Sequence, residues 1–310
     1  MRCPPMEGRA PASPEMKEKR RRGAPPSEAG TPLFHPCASS KLAPLCPMPE
    51  LAEVEWYRKQ WDPGIGRPVV DVKLHARKYV LRDLDQRALR RLVGTTFLRS
   101  DRHGKQMLFR FSDDHWLGIH LGMTGKIRKG PADFRPEKYD HLVLYQPDRA
   151  LVFADTRQLG RVRIHSGSEP PLWWKKDPPQ IESQKFNRQF FEGFLKRHPK
   201  APIKAVLLMQ NGFPGIGNWM ADEILWRAGV LPAKRTFRLA TAERDAIFRA
   251  TKFVVKAALA TTGNDFSDPP KNWMIHQKWK RGGICPKHRT PLRHATIGGR
   301  TTAWCPKCQR

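Results

Sequence analysis

The sequence predicts an α+β fold: an antiparallel β half, sandwich or barrel, followed by a helical half that ends in a small metal-binding hairpin. Three observations carry this. Short apolar-rich runs at 69–74, 79–81, 106–111, 116–121, 141–145 and 151–153 are separated by Gly, Asp and Pro, the spacing of antiparallel strands. After Pro178 the apolar period lengthens to that of helices. The last 26 residues carry two pairs of metal-ligating side chains on either side of a Gly298-Gly299 turn.

Residues 1–47 stand apart. They are rich in Pro, Ala, Ser and Gly, carry the basic run Lys19-Arg20-Arg21-Arg22, and have no periodicity of 2 or 3.6. They read as a disordered extension or as upstream sequence ahead of the true start at Met48. A targeting or nucleic-acid-tethering arm is the sharper alternative. From Met48 the pattern changes. Leu51, Val54, Tyr57, Arg58 and Trp61 fall at helical spacing over 50–61, and the strand runs follow. Helices are expected over 187–197, 202–210, 218–228, 241–260 and 271–279, with Gly and Pro between them. The hairpin pairs 292–297 with 300–304. The domains expected are therefore 48–178, 179–280 and 281–310.

At 310 residues the chain is long enough for two domains and a sizeable core. Lys and Arg number 57 against 29 Asp and Glu, a net charge of +28. Such an excess over a whole chain points to a polyanion: DNA, RNA or an anionic membrane face. No apolar run approaches the roughly 20 residues needed to span a bilayer, so no integral membrane protein is expected. The 29 Pro and 23 Gly show no Gly-X-Y period, which excludes collagen. Apolar residues at 39%, with ten Trp, are too many for a wholly disordered chain. The N-terminus lacks the apolar stretch of a signal peptide, so a cytoplasmic, reducing compartment is expected.

The strongest chemical signal is Cys285-Pro-Lys-His288, then Cys305-Pro-Lys-Cys308. A two-residue gap turns both side chains of a pair to one point, and four converge on a tetrahedral ion. Three sulfurs and one imidazole suit Zn²⁺, and a closed site leaves no position for substrate. One structural zinc, folding a hairpin too small to hold itself, is the expected cofactor. Pro214-Gly215-Ile216-Gly217-Asn218 opens the helix at 218. It reads either as an ordinary helix-entry turn or as a backbone that can approach a phosphate closely. His120-Leu-Gly-Met123-Thr-Gly places a side chain between glycines, and Asp155-Thr-Arg157-Gln-Leu159-Gly places one before a glycine, each on a loop. Core packing is the ordinary fate of Met123 and Leu159, and a solvated surface position that of Lys105.

Met48-Pro49-Glu50-Leu51-Ala52-Glu53-Val54-Glu55 resembles the N-terminus of the formamidopyrimidine-DNA glycosylase family. The likeness continues in order through Lys105, His120–Gly125, Asp155–Gly160, Gly215–Glu223 and the zinc hairpin, covering essentially all of 48–310. The resemblance implies an N-terminal β-sandwich with flanking helices, a helix–two-turn–helix domain and a zinc-finger β-hairpin. It implies a bifunctional DNA glycosylase and abasic-site lyase acting, as a monomer, on duplex DNA that contains oxidised or abasic sites. The bases implied are formamidopyrimidines and 8-oxoguanine. A cytoplasmic location, nucleoid-associated in a bacterium, goes with it. Pro49 matches the nucleophilic N-terminal proline, Glu50 the acid that assists ring opening and proton transfer, and Lys105 a catalytic lysine that also binds phosphate. Met123, Arg157 and Leu159 match the residues that fill the gap left by the flipped base. Asn218 and Arg300 match phosphate ligands, and Lys204 and Glu223 also lie at family positions, with Lys204 counted among the DNA-binding residues.

The chemistry agrees with the residue types. An α-amine titrates near 8, against about 10.4 for Lys, so more of it is a free nucleophile at neutral pH. A secondary amine can form an iminium with an aldehydic sugar, and a neighbouring carboxylate can move the proton. A base taken out of the stack leaves a gap to be filled. The sequence departs from the family pattern in five places. Pro49 is internal as written, and its nitrogen is then an amide. His288 stands for the usual second cysteine, Leu159 for a frequent Phe, and Ala52 for the usual Pro. The segment 263–273, which the resemblance places over the flipped base, is also short. A non-catalytic zinc-finger protein that binds damaged or abasic DNA is the alternative function, and a basic RNA-binding zinc protein is a third.

Overall fold

The computed structural model describes residues 48–75, 79–82 and 84–310, all within one compact unit, Ala38–Arg310. The expectations for 1–47 lie outside the described residues. The first helix, α1 (Leu51–Lys59), begins at Glu50, whose backbone N–H donates to the Glu53 carboxylate at 3.1 Å. Acid early and Arg58 and Lys59 late suit the helix dipole.

Two antiparallel four-stranded sheets follow. One has the order β1 (Asp71–Leu74), β6 (Asp140–Gln146), β7 (Arg149–Asp155), β5 (Gly125–Gly130). The other runs β2 (Phe97–His103), β3 (Gln106–Phe111), β4 (His115–His120), β8 (Arg161–Ser166). Phe97, Phe109, Leu117 and Ile119 of one sheet and Ile127, Leu142, Leu151 and Phe153 of the other share a single buried core, so the sandwich alternative is the one realised. Val54 of α1 belongs to that core, whereas Leu51 and Ala52 belong to the core of the helical half. One short helix thus fastens the two halves together.

The second half holds α4 (Arg188–Arg197), α5 (Ile203–Leu207), α6 (Asn218–Ala228) and α7 (Thr241–Ala260), after the short α2 (Gln86–Arg90) and α3 (Leu172–Lys175). Asn187 caps α4 by accepting from Phe190 N at 2.9 Å. Gly229, at φ 72°, ends α6 in the left-handed conformation. Two short helices, α8 (Thr262–Asp265) and α9 (Ile275–Lys278), lead to the hairpin of β9 (Arg293–Ile297) and β10 (Arg300–Trp304). No helix among the described residues is long and apolar enough to cross a membrane.

Several expectations need correction. Residues 79–81 form a 3-10 turn, not a strand. Val80 and Leu81 are both buried in the core of the sandwich, and that burial is what the apolar run reflects. The helix expected over 202–210 is confined to α5, and that over 271–279 to α9, because both stretches bend into turns. Strands β2, β5 and β8 escaped notice: they are laced with Arg, Lys and Asp, which dilutes the apolar alternation.

Candidate active site

Glu50 is the organising residue. It is 2% exposed, and its carboxylate accepts from the backbone N–H groups of Gly217 (2.8 Å), Trp219 (2.9 Å) and Met220 (3.2 Å). Those are the unsatisfied donors at the start of α6. A negative side chain there is favoured by both hydrogen bonding and the helix dipole. Leu51 N donates to Gly215 O at 3.0 Å, which locks the same loop to α1. Gly217 has to be glycine: a methyl group there would lie 2.2 Å from the Glu50 carboxyl carbon. Burial pushes the Glu50 carboxyl above the ordinary carboxylate range, and Lys105 and the Trp219 and Met220 N–H groups pull it back. Glu53, which accepts from the Trp219 indole at 3.1 Å, is pushed up to about 7 by burial and by the charge of Glu50.

Pro49, half-buried, precedes Glu50 directly in the chain. Lys105 lies on the β2–β3 turn. That turn packs on the same loop, since a methyl at Gly104 (φ 55°) would meet Gly215 N at 2.9 Å. His120 ends β4 opposite Gln106. Its Nδ1 accepts from Gly122 N at 3.1 Å. Burial, with the charges of Lys105, Arg163, Arg161 and Arg82, lowers His120 to about 4, so the ring is neutral at pH 7.

Met123, Arg157 and Leu159 sit on the two loops that cross between the sheets at one end of the sandwich. These loops are neighbours because their strands pair: His120 opposes Arg161, and Gly125 opposes Asp155. Buried Asp155 holds them, accepting from the Thr124 hydroxyl and from the backbone of Arg157 (3.2 Å) and Gly160 (2.7 Å). Arg157 and Leu159 are exposed and Met123 half-buried. Core packing is thus not the fate of Leu159.

Asn218 donates from Nδ2 to Thr301 O at 3.0 Å, tying α6 to the hairpin next to exposed Arg300. Lys204 is placed otherwise than expected. It is fully buried, paired with Asp222, and donates to Asn218 O at 2.9 Å. A side chain so enclosed is out of reach of a DNA phosphate. Glu223 is likewise buried, accepting from Met274 N at 2.8 Å and pairing with Arg227 at 2.9 Å. The sequence reading assigns no role to Asp155, Asp222 or Lys278. Each looks like a surface charge when read alone, and only the folded chain shows what surrounds it.

The ligand atoms of Cys285, His288, Cys305 and Cys308 all lie within 4.8 Å of one another, with Cys285 Sγ 3.7 Å from His288 Nδ1. The Trp226 indole donates to Cys285 Sγ at 3.3 Å. Three thiols and an imidazole on two facing turns can hold a metal ion, and the donor set fits zinc.

Comparison with known proteins agrees with this geometry. Residues 48–162 match the model of the formamidopyrimidine-DNA glycosylase N-terminal domain, and residues 177–268 that of the formamidopyrimidine-DNA glycosylase H2TH domain. The chain is similar to proteins named formamidopyrimidine-DNA glycosylase from Ligilactobacillus salivarius and Geotalea daltonii. The first is 30% identical over 84% of this chain and 99% of the relative, the second 32% over 85% and 100%. It also resembles solved structures of the Lactococcus lactis enzyme. The complex with abasic-site DNA gives a TM-score of 0.75 at 28% identity, covering 84% of this chain and 99% of that one. The complex with DNA containing an oxidised pyrimidine gives the same TM-score and identity, covering 84% and 100%.

Proposed function

Since the chain belongs to the formamidopyrimidine-DNA glycosylase family and is thus a DNA glycosylase of DNA repair, we propose that it removes oxidised bases from duplex DNA and then cuts the strand. The bases proposed are formamidopyrimidines and 8-oxoguanine, and the working unit is a monomer. The observation that carries this reading is the carboxylate of Glu50 held by three N–H groups at the start of α6, directly after Pro49.

The Pro49 amine attacks C1′ of the damaged nucleoside, and the bond to the base breaks. Glu50 moves the proton that ring opening requires, and burial strengthens its hold on that proton. The resulting iminium resolves by β- and δ-elimination. Lys105 stands on the turn beside them and supplies positive charge to a phosphate. Met123, Arg157 and Leu159 fill the gap left by the flipped base, with Arg157 able to hydrogen-bond the orphaned partner base. Asn218 and Arg300 bind phosphates on the helix and hairpin side. Cys285, His288, Cys305 and Cys308 hold one structural Zn²⁺, which keeps the hairpin folded.

A form beginning at Pro49 should release the base from an 8-oxoguanine or formamidopyrimidine duplex and nick an abasic one. Glu50→Gln should still bind but lose excision by about 10²- to 10⁴-fold. Excision unaffected by Glu50→Gln overturns the assignment. One observation favours a second reading, a non-catalytic binder of damaged DNA: with residues 1–48 attached, the Pro49 nitrogen is an amide. Binding without excision by the form beginning at Pro49 would establish it.

A further inference from the structure

Asp222 has two buried lysines. One of its carboxylate oxygens pairs with Lys204; the other pairs with Lys278 and accepts from Ala303 N at 3.2 Å. None of the three side chains is more than 1% exposed. Both ammonium groups also donate to the carbonyl of Asn218, at 2.9 Å from Lys204 and 3.1 Å from Lys278. That carbonyl and the N–H of Trp219 belong to one peptide group, and the N–H donates to Glu50 at 2.9 Å. A single rigid peptide plane therefore has two cations at its oxygen and the carboxylate of Glu50 at its nitrogen.

Resting on the reading above, we propose that Lys278 is a positioning residue for Glu50. With Lys204 and across Asp222, it fixes and polarises the 218–219 peptide, so that the first turn of α6 holds the Glu50 carboxylate in place. Stability alone does not account for a second ammonium. One lysine would neutralise Asp222, and a further buried cation costs desolvation and repels the first. Hydrogen bonds in series strengthen one another in a low-dielectric interior, so charge placed at the carbonyl is felt at the far N–H. The charged groups around Glu50 are Lys105 on the β2–β3 turn, Glu53 on α1, Lys204 on α5, Asp222 on α6 and Lys278 on α9. Lys278 opposes the upward push of burial on Glu50, and Glu50 in turn supports the charge of Lys204, which burial takes down to about 8.

The test is Lys278→Met in the form beginning at Pro49, with excision from an 8-oxoguanine duplex measured in single turnover across neutral pH. Losing the cation should move the limb of the pH profile that depends on Glu50 upward by roughly half to one pH unit. Protection of the Trp219 amide from hydrogen exchange should fall by about tenfold. If Lys278→Met does not fold, Lys278→Gln, which keeps a donor but no charge, carries the same expectation. A folded variant with an unmoved limb and unchanged protection overturns the proposal. Wild-type protein that excises nothing overturns the reading of Glu50 as catalytic instead, and hydrogen exchange, which needs no substrate, then decides alone whether Lys278 holds the peptide.

Discussion

The carboxylate of Glu50 lies 2.9 Å from the backbone nitrogen of Trp219, 169 residues further along the chain. The acid therefore comes from the strand-rich half, and the donors that hold it come from the helical half. Neither half alone contains the site. Helix α1, with Leu51 in one core and Val54 in the other, keeps the two in register.

Gly217→Ala tests that contact most directly. The added methyl would meet the Glu50 carboxyl carbon at 2.2 Å, so either Glu50 or the start of α6 must move. Overpacking of this kind costs about 1–3 kcal/mol. Because the displaced group is the proposed proton carrier, single-turnover excision should fall by at least roughly 10²-fold, far more than the loss of stability accounts for. Excision at the wild-type rate with an unchanged melting temperature would contradict the geometry.

The parts of the site that rest on local chemistry were legible in the sequence. The paired spacing of Cys285, His288, Cys305 and Cys308 announces a metal site without any fold. The glycines around Met123 and the one after Leu159 mark loops that the sheets then bring together. What was hidden is non-local. Lys204 looks like a solvated cation until Asp222 and Lys278 close over it. Strands β5 and β8 carry Lys126, Arg128, Lys129, Arg161 and Arg163 around only three apolar side chains, Ile127, Val162 and Ile164, and that charge masks the apolar alternation on which strand recognition depends.

Glu223 gives a pH signature independent of the reaction. Burial pushes it from 4.5 up to about 7, although Arg227 and the Met274 N–H oppose the shift. A raised carboxyl pKa means that the folded chain holds this proton more tightly than the unfolded chain. Its contribution is complete below pH 4.5 and lost as pH rises through about 7. Wild-type stability to urea should therefore carry a downward component across that window, on the order of 1–3 kcal/mol. Glu223→Gln, which cannot ionise, should flatten it. Parallel stability curves for the two proteins would exclude Glu223 as the source.

Removing the metal should act on DNA binding before it acts on the sandwich. One Zn²⁺ per chain is expected by elemental analysis. The hairpin reaches α6 through Asn218 Nδ2 to Thr301 O and through Ala303 N to Asp222, so its loss frees both Asn218 and Arg300. Cys305→Ser or chelation should abolish most binding to an abasic duplex, while the β-sheet circular dichroism signal persists. Metal-free protein that binds DNA normally would remove the hairpin from the interface.

Salt dependence separates the charged from the neutral among the proposed phosphate ligands. For roughly 5 ionic contacts, log K should fall against log salt with a slope of about −4.5. Arg300→Ala should weaken binding and make the slope shallower by about one unit. Asn218→Ala should weaken binding with little change in slope, because the side chain is uncharged. Equal slopes for wild type and Arg300→Ala would withdraw Arg300 from the phosphate.

The proposed reaction turns on one nitrogen. An amide nitrogen has no basic lone pair, so Pro49 can attack only when nothing precedes it. Translation from Met48 followed by loss of that methionine, which is readily removed before a small residue, leaves a secondary amine. Attack on C1′ expels the base, and opening of the sugar ring gives an iminium that borohydride reduces to a stable protein–DNA bond. A form of the chain starting at Met48 should therefore be trapped covalently on an abasic or 8-oxoguanine duplex. The unprocessed 310-residue chain should be trapped little or not at all while still binding the duplex. Pro49→Gly, which keeps a free but primary amine, should retain partial trapping. Denaturing gels after borohydride treatment read all three directly. Equal trapping of the long and short forms would identify another amine as the nucleophile. Lys105, on the turn packed against the Gly215 loop that α1 also grips, would be the first to replace.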